Sequence, residues 1–253
     1  KNNKIKFNIE NQERKIMKRK IMITALMSLL IFGTVACGKN EKTPQNSGVS
    51  QNQSTNSQSV NSNKTNEKSK TLIVYFSMPE TDNPGNMTED EENSTVVING
   101  KVLGNTQYMA ETIQKTTGGD IFRIIPKVPY TTDHKKLVEK ATEERKGQAR
   151  PEISGALPDV SGYDTIFIGY PIWWSDMPMI MYTFFDSVDL SRKTVIPFGT
   201  HGGSGFAGTV ESIREQETNA RISSNGKTIS RNSIGNAEKE IIDWVDEMGY
   251  MKE

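Results

Sequence analysis

TIFIGYPIWW, residues 165–174, decides the fold: a continuous apolar run that breaks at Pro171 and ends in two adjacent tryptophans, Trp173 and Trp174. Such a run, apolar at every position instead of alternating, is the pattern of a strand buried on both faces of a parallel sheet. Working outward, Thr71–Ser77, Asp120–Ile125 and Thr194–Gly199 read the same way, and Lys227–Ile234 forms a weaker fifth run. Helical stretches alternate with them: 105–116, 133–147, 177–188, 207–216 and 237–248. The last carries Ile241, Trp244, Val245 and Met248 at i, i+3, i+4, i+7, a stripe that places Trp244 in the core. Strict alternation of strand and helix gives an α/β domain. Five strands in about 180 residues fit a doubly wound parallel sheet of order 2-1-3-4-5 with helices on both faces, whose ligands bind beyond the carboxyl ends of the strands.

That rule points to the loops after Ser77, Tyr170 and Gly199, where the least ordinary residues of the domain lie. After the first strand come Ser77 and Met78, then residues 79–103, then Gly104-Asn105-Thr106 at the start of a helix. Free backbone N–H groups, a hydroxyl and the helix dipole suit a phosphate there, although a plain helix cap uses the same residues. Residues 79–103 read as an insert, in which Val96–Val102 predicts a hairpin around an Asn99-Gly100 turn. After the third strand, Pro171, Ile172, Trp173 and Trp174 offer apolar and aromatic walls for a flat ring; core packing is the alternative, easily met by only one of two adjacent tryptophans. After the fourth, Thr200-His201-Gly202-Gly203-Ser204-Gly205 lets the backbone approach a ligand closely. His201 either sets positive charge beside that ligand or caps the loop.

These motifs carry a resemblance. Gly104-Asn105-Thr106 after a Ser-bearing first loop is similar to the phosphate loop of flavodoxins, here split by the insert. The run Pro171-Ile172-Trp173-Trp174-Ser175-Asp176-Met177-Pro178, with Thr183-Phe184-Phe185 after it, resembles a branch of flavodoxin-like proteins that includes many exported bacterial members. The resemblance spans 71–253 and implies FMN as cofactor. Its phosphate would lie on Ser77, Met78, Gly104, Asn105 and Thr106, its ring against Pro171, Ile172, Trp173 and Trp174, and its pyrimidine edge on Thr200, His201, Gly202, Gly203 and Gly205.

The remainder is built differently. Lys18-Arg19-Lys20, the mostly apolar stretch from Ile21 to Gly33, and Thr34-Val35-Ala36-Cys37 are the parts of an export signal, too short for a comfortable membrane span. The end of this pattern resembles the lipobox of bacterial lipoproteins, with Thr34 where Leu is usual. It implies cleavage before Cys37 and lipidation of its thiol; a signal anchor is the other reading. Residues 1–37 read as a leader, in which Met17, just before the basic cluster, is expected to be the true start. Residues 38–70 are nearly all Asn, Ser, Gln, Lys, Thr and Glu, a composition that cannot bury a core and predicts a disordered tether, spanning roughly 30 Å as a flexible coil.

The formal charge of zero hides an asymmetry. Residues 1–70 hold 13 Lys/Arg against 4 Asp/Glu, and residues 71–253 hold 18 against 27. An acidic domain argues against nucleic acid as partner and suits a basic protein, or is simply solvated. One cysteine and two histidines exclude an intramolecular disulfide and argue against a metal centre. The expectation is an electron-transfer flavoprotein, lipid-anchored on the outer, extracytoplasmic face of the bacterial membrane and serving a redox partner protein or small acceptor. Two alternatives stay open: an NAD(P)H-dependent FMN oxidoreductase acting on a quinone or similar acceptor, and a degenerate binding lipoprotein without redox activity.

Overall fold

The computed structural model describes residues 70–252 apart from 80, 84, 86, 87 and 89. The leader, Cys37 and residues 38–69 of the tether lie outside the described residues.

The chain order is β1 (Thr71–Tyr75), β2 (Thr95–Ile98), β3 (Lys101–Gly104), α1 (Asn105–Thr117), β4 (Asp120–Arg123), α2 (His134–Lys146), β5 (Thr165–Pro171), α3 (Met179–Ser187), β6 (Thr194–His201), α4 (Thr209–Gln216), β7 (Arg221–Ile222), β8 (Lys227–Ser230) and α5 (Glu238–Glu247). The main sheet is parallel throughout and runs β4-β1-β5-β6, with both β7 and β8 on the outer side of β6. Taking β7 and β8 as one interrupted strand gives the expected order 2-1-3-4-5. The central strands β1, β5 and β6 are buried on both faces, whereas the edge strand β4 exposes Asp120, Ile121 and Arg123, as a strand with one neighbour can.

Helices cover both faces. On one, Ile73, Phe167 and Phe198 pack against Met109 and Ile113 of α1 and against Ile241, Trp244 and Val245 of α5. Trp244 is core, as its helical spacing predicts, and its indole N–H donates to the Asn225 carbonyl at 2.8 Å. On the other, Leu72, Val74, Ile166, Ile168 and Val195 pack against Ile180, Met181 and Phe184 of α3 and Ile213 of α4.

The fifth strand departs from the expected 227–234. It pairs at Arg221–Ile222 with the start of β6, breaks, and resumes at Lys227–Ser230 beside Phe198–His201. The cause is Pro197. The carbonyls of Lys193, Val195 and His201 all accept from the fifth-strand side, so Pro197 faces that side with no N–H to give. Beyond Ser230 the chain turns, and Ile234 enters the core from a short 3-10 turn (Ile234–Asn236) instead of a strand.

Within the insert, β2 and β3 form the predicted hairpin, with Asn99 (φ 51°) and Gly100 (φ 76°) at its turn. Val96 and Leu103 anchor it in the α1–α5 core.

Candidate functional site

The ends of β1, β5, β6 and β8 open into one cavity of about 200 Å³. Its wall takes in Ser77 and Met78 after β1, Asn105 and Thr106 of α1, Pro171–Trp174 after β5, and Thr200–Gly202 at the end of β6. The three loops named by topology therefore converge.

The split first loop is rejoined in space. The Gln107 N–H donates to Ser77 Oγ at 3.0 Å, so Ser77 caps α1 across the whole insert. A Cβ at Gly104 would overlap that hydroxyl, which explains glycine at this position without any unusual backbone angle. Arg123 Nη2 donates to the Ser77 carbonyl at 3.1 Å and fixes the loop from β4. The insert itself returns to the helix. The Asn105 N–H donates to the Ser94 carbonyl at 2.8 Å, and the Asn105 side-chain amide donates to the Asn93 carbonyl at 3.1 Å. The Gly104 N–H faces Gln107 Oε1 at 3.4 Å. Among the described residues, no backbone hydrogen bond from the Thr106 N–H is found, and Asn105 Oδ1 is buried without a donor. Thr106 Oγ1 lies 2.8 Å from Thr200 Oγ1, both buried, which ties the helix start to the end of β6.

The second loop is a tight turn. Trp173 and Asp176 exchange both backbone hydrogen bonds, at 2.9 and 3.0 Å, with Trp174 (φ 54°) and Ser175 (φ 60°) between them. Positive φ at two consecutive non-glycine residues is uncommon and strained. Asp176 holds the turn down by accepting from the Met177 N–H at 2.7 Å and the Tyr182 hydroxyl at 2.8 Å. The turn sends the two indoles different ways. Trp173 packs edge-on to Phe76 and Tyr130, each at 5.6 Å between centroids, while Trp174 stays 52% exposed. Neither is simply buried core, and both line the cavity.

In the third loop, His201 Nδ1 accepts the Gly203 N–H at 2.8 Å. Burial pushes the imidazole pKa below its usual value. Of the two roles open for His201, the geometry shows the loop cap, made by a neutral ring. The charge on this side of the cavity comes from Arg231, just after β8.

Gly104, Gly203 and Gly205 are expected site residues that do not line the cavity. Gly104 stands behind Ser77. Gly203 (φ 138°) and Gly205 (φ 57°) shape the turn beyond His201, with open space where a Cβ would be. Sequence reasoning missed Asn93 and Ser94 of the insert, His134, Leu137, Val138 and Ala141 of α2, and Arg231. The apolar α2 residues carry a helical pattern that reads as core, yet they face the cavity. Arg231 is concealed by a fifth strand drawn too long: with its end at Ser230, the strand-end rule picks out Arg231 at once.

A family model described as Flavodoxin matches residues 95–248. Solved structures similar to the chain in sequence as well as in fold include two from Bacteroides species. A candidate flavoprotein from Bacteroides eggerthii is 29% identical, with TM-score 0.53, the match covering 72% of this chain and 98% of that one. A second, from Bacteroides uniformis, is 26% identical, with TM-score 0.51, covering 68% and 98%. No curated protein matches the chain.

Proposed function

The chain belongs to the flavodoxin family, and from that premise we propose that it binds FMN in this cavity and transfers electrons at the outer face of the cytoplasmic membrane. The observation that carries the proposal is the convergence of a helix N-terminus and a double-tryptophan turn on one cavity. The residues fit the group. The start of α1 offers the Thr106 N–H, the hydroxyls of Ser77 and Thr106 and the positive end of the helix dipole to a phosphate. Asn105 Oδ1, a buried acceptor with no donor, suits a hydroxyl of the ribityl chain. Ile172, Trp173 and Trp174, with Leu137 and Val138 also lining the cavity, give a flat ring its apolar walls. His201 borders the place left for its polar edge.

Bound FMN supplies one- and two-electron chemistry, which the surrounding dipoles and charges tune. The chain's contribution is to hold the ring against the indoles and to leave it reachable. The cavity is smaller than the roughly 300–1,000 Å³ of sites that engulf their ligands, so a flavin nucleotide keeps an edge outside, where a partner can meet it. The acidic balance of residues 71–253, 18 Lys/Arg against 27 Asp/Glu, favours a basic partner protein. Lipidation at Cys37 with the polar tether would hold the domain at the membrane surface.

Titration of the purified, flavin-stripped protein with FMN tests the cofactor: saturable binding with a perturbed flavin absorbance band is expected, and a colourless protein after FMN addition sinks the redox reading. Steady NAD(P)H oxidation with a quinone would replace the carrier by a reductase. Cys37→Ser is expected to move the protein from the membrane fraction to the soluble one, and retention in membranes would support an uncleaved signal anchor instead.

A further inference from the structure

Arg231 has a defined place relative to α1. Thr200 pairs in register with Ile229, and the Arg231 N–H donates to the His201 carbonyl at 2.8 Å, carrying the β6–β8 ladder one step further. Ile229 belongs to the core on the α1 face, and Thr200 reaches Thr106 of α1 on that same face. Side chains two apart on a strand share a face, so Arg231 projects beyond Ile229 on the side of the sheet where α1 begins. There its guanidinium lies over Gly202, where a Cβ would stand 3.5 Å from Cζ and Nη1. Among the described residues, no carboxylate lines the cavity or pairs with Arg231, which is the one permanent cation on the wall.

The helix start needs such a charge. Asn105 gives its N–H to Ser94, Gln107 gives its own to Ser77, and Gly104 faces Gln107. That leaves Thr106 to meet a phosphate bearing nearly two negative charges. We propose that Arg231 recognises the phosphate of the flavin nucleotide, supplying from the fifth strand the charge that the split first loop and its insert no longer provide through backbone N–H groups. The proposal rests on the FMN reading and specifies how the nucleotide is told from the bare flavin.

The test compares FMN with riboflavin, which has the same ring and ribityl chain but no phosphate. Dissociation constants are read from flavin fluorescence on the full-length protein and on Arg231→Gln and Arg231→Lys. Wild type is expected to prefer FMN. Arg231→Gln should weaken FMN about 10- to 100-fold, the value of a charge-assisted hydrogen bond, and leave riboflavin within about twofold, which also shows that the variant is folded. Arg231→Lys should fall between. An equal loss for both ligands, no loss for either, or a wild type that does not distinguish FMN from riboflavin overturns the role of Arg231 while leaving the flavin site standing. A wild type that binds neither overturns the FMN reading and this proposal together.

Discussion

Replacing Gly104 by alanine isolates the contact that rejoins the split loop. Gly104 has φ −69° and ψ 144°, angles open to any residue, so the substitution adds no backbone strain and acts only through its new methyl. That methyl overlaps Ser77 Oγ and lies 3.3 Å from Ser77 Cβ. The hydroxyl must leave, and the Gln107 N–H loses its acceptor. Loss of the cap costs about 1 kcal/mol and crowding adds about 1–3 kcal/mol. The stiffer unfolded chain returns about 0.4–1 kcal/mol, so Gly104→Ala should destabilise by about 2 kcal/mol. Ser77→Ala alone should cost about 1 kcal/mol, the cap alone. In the double variant the hydroxyl is already gone, and a methyl 3.3 Å from another is accommodated by a small shift. It should lose about 1.5 kcal/mol, half the sum of the single losses. Urea unfolding of flavin-free protein, with unchanged m-values, measures all corners of the cycle. Additivity within about 0.5 kcal/mol would refute the claim that Gly104 exists to admit the Ser77 hydroxyl.

Two further outcomes follow from the site. Trp174 holds a left-handed conformation that costs a non-glycine residue about 1–2 kcal/mol, so Trp174→Gly should stabilise the flavin-free protein by about 1 kcal/mol and weaken FMN; Trp173→Ala should weaken FMN and also destabilise by about 2–3 kcal/mol, because its indole packs on Phe76 and Tyr130. Urea unfolding and FMN titration of each variant would contradict this if the two stability changes shared a sign. Glu144 is 6% exposed, and burial raises its carboxyl pKa despite the Tyr130 hydroxyl that donates to it at 2.8 Å and the nearby Lys140. A raised folded pKa means that the folded state holds the proton more tightly. The stability this contributes is full below the unfolded value, about 4.3, and is lost as pH rises through the folded one. Glu144→Gln, whose amide oxygen still accepts from Tyr130, should therefore gain stability relative to wild type between pH 4 and 7; a difference constant across that range would count against a buried charge at this position.

What the sequence made legible is what local chemistry determines. Continuous apolar runs at 71–77, 165–170 and 194–199 announced a sheet covered on both faces, and Asn99-Gly100 announced its hairpin, because burial and positive φ each select a narrow set of residues. The strand-end rule then brought Ser77, Thr106, Trp173, Trp174, Thr200 and His201 to one cavity before any coordinate was known. Relations between distant segments were not legible. Nothing near Lys227 shows that Pro197 will interrupt its ladder, and the end of the strand, hence Arg231, is misplaced for that reason. The apolar pattern of α2 cannot say whether Leu137 and Val138 face a core or a cavity. The Gly-rich third loop reads as uniformly ligand-facing, yet only Gly202 reaches the wall, since Gly203 and Gly205 are committed to the turn that His201 caps.

The insert shows how a fold can be interrupted at its binding loop without losing its stability. Stretching the connection between Ser77 and Gly104 from a few residues to the whole of 78–103 is somewhat more than two doublings in length, worth about 1.5 kcal/mol of closure entropy. Val96 and Leu103, buried against the α1–α5 core, return about 1.5–3 kcal/mol each before the cost of ordering the hairpin. The insert's own anchors thus work against both the closure cost and the cost of ordering the hairpin. Its consequence falls on the helix start instead. Ser94 and Asn93 present carbonyl oxygens to Asn105, and an anion approaching α1 meets acceptors already seated among the donors. Any ligand that requires the Asn105 N–H must therefore displace Ser94, while one held by Thr106 from the helix and Arg231 from the fifth strand leaves the insert where it is.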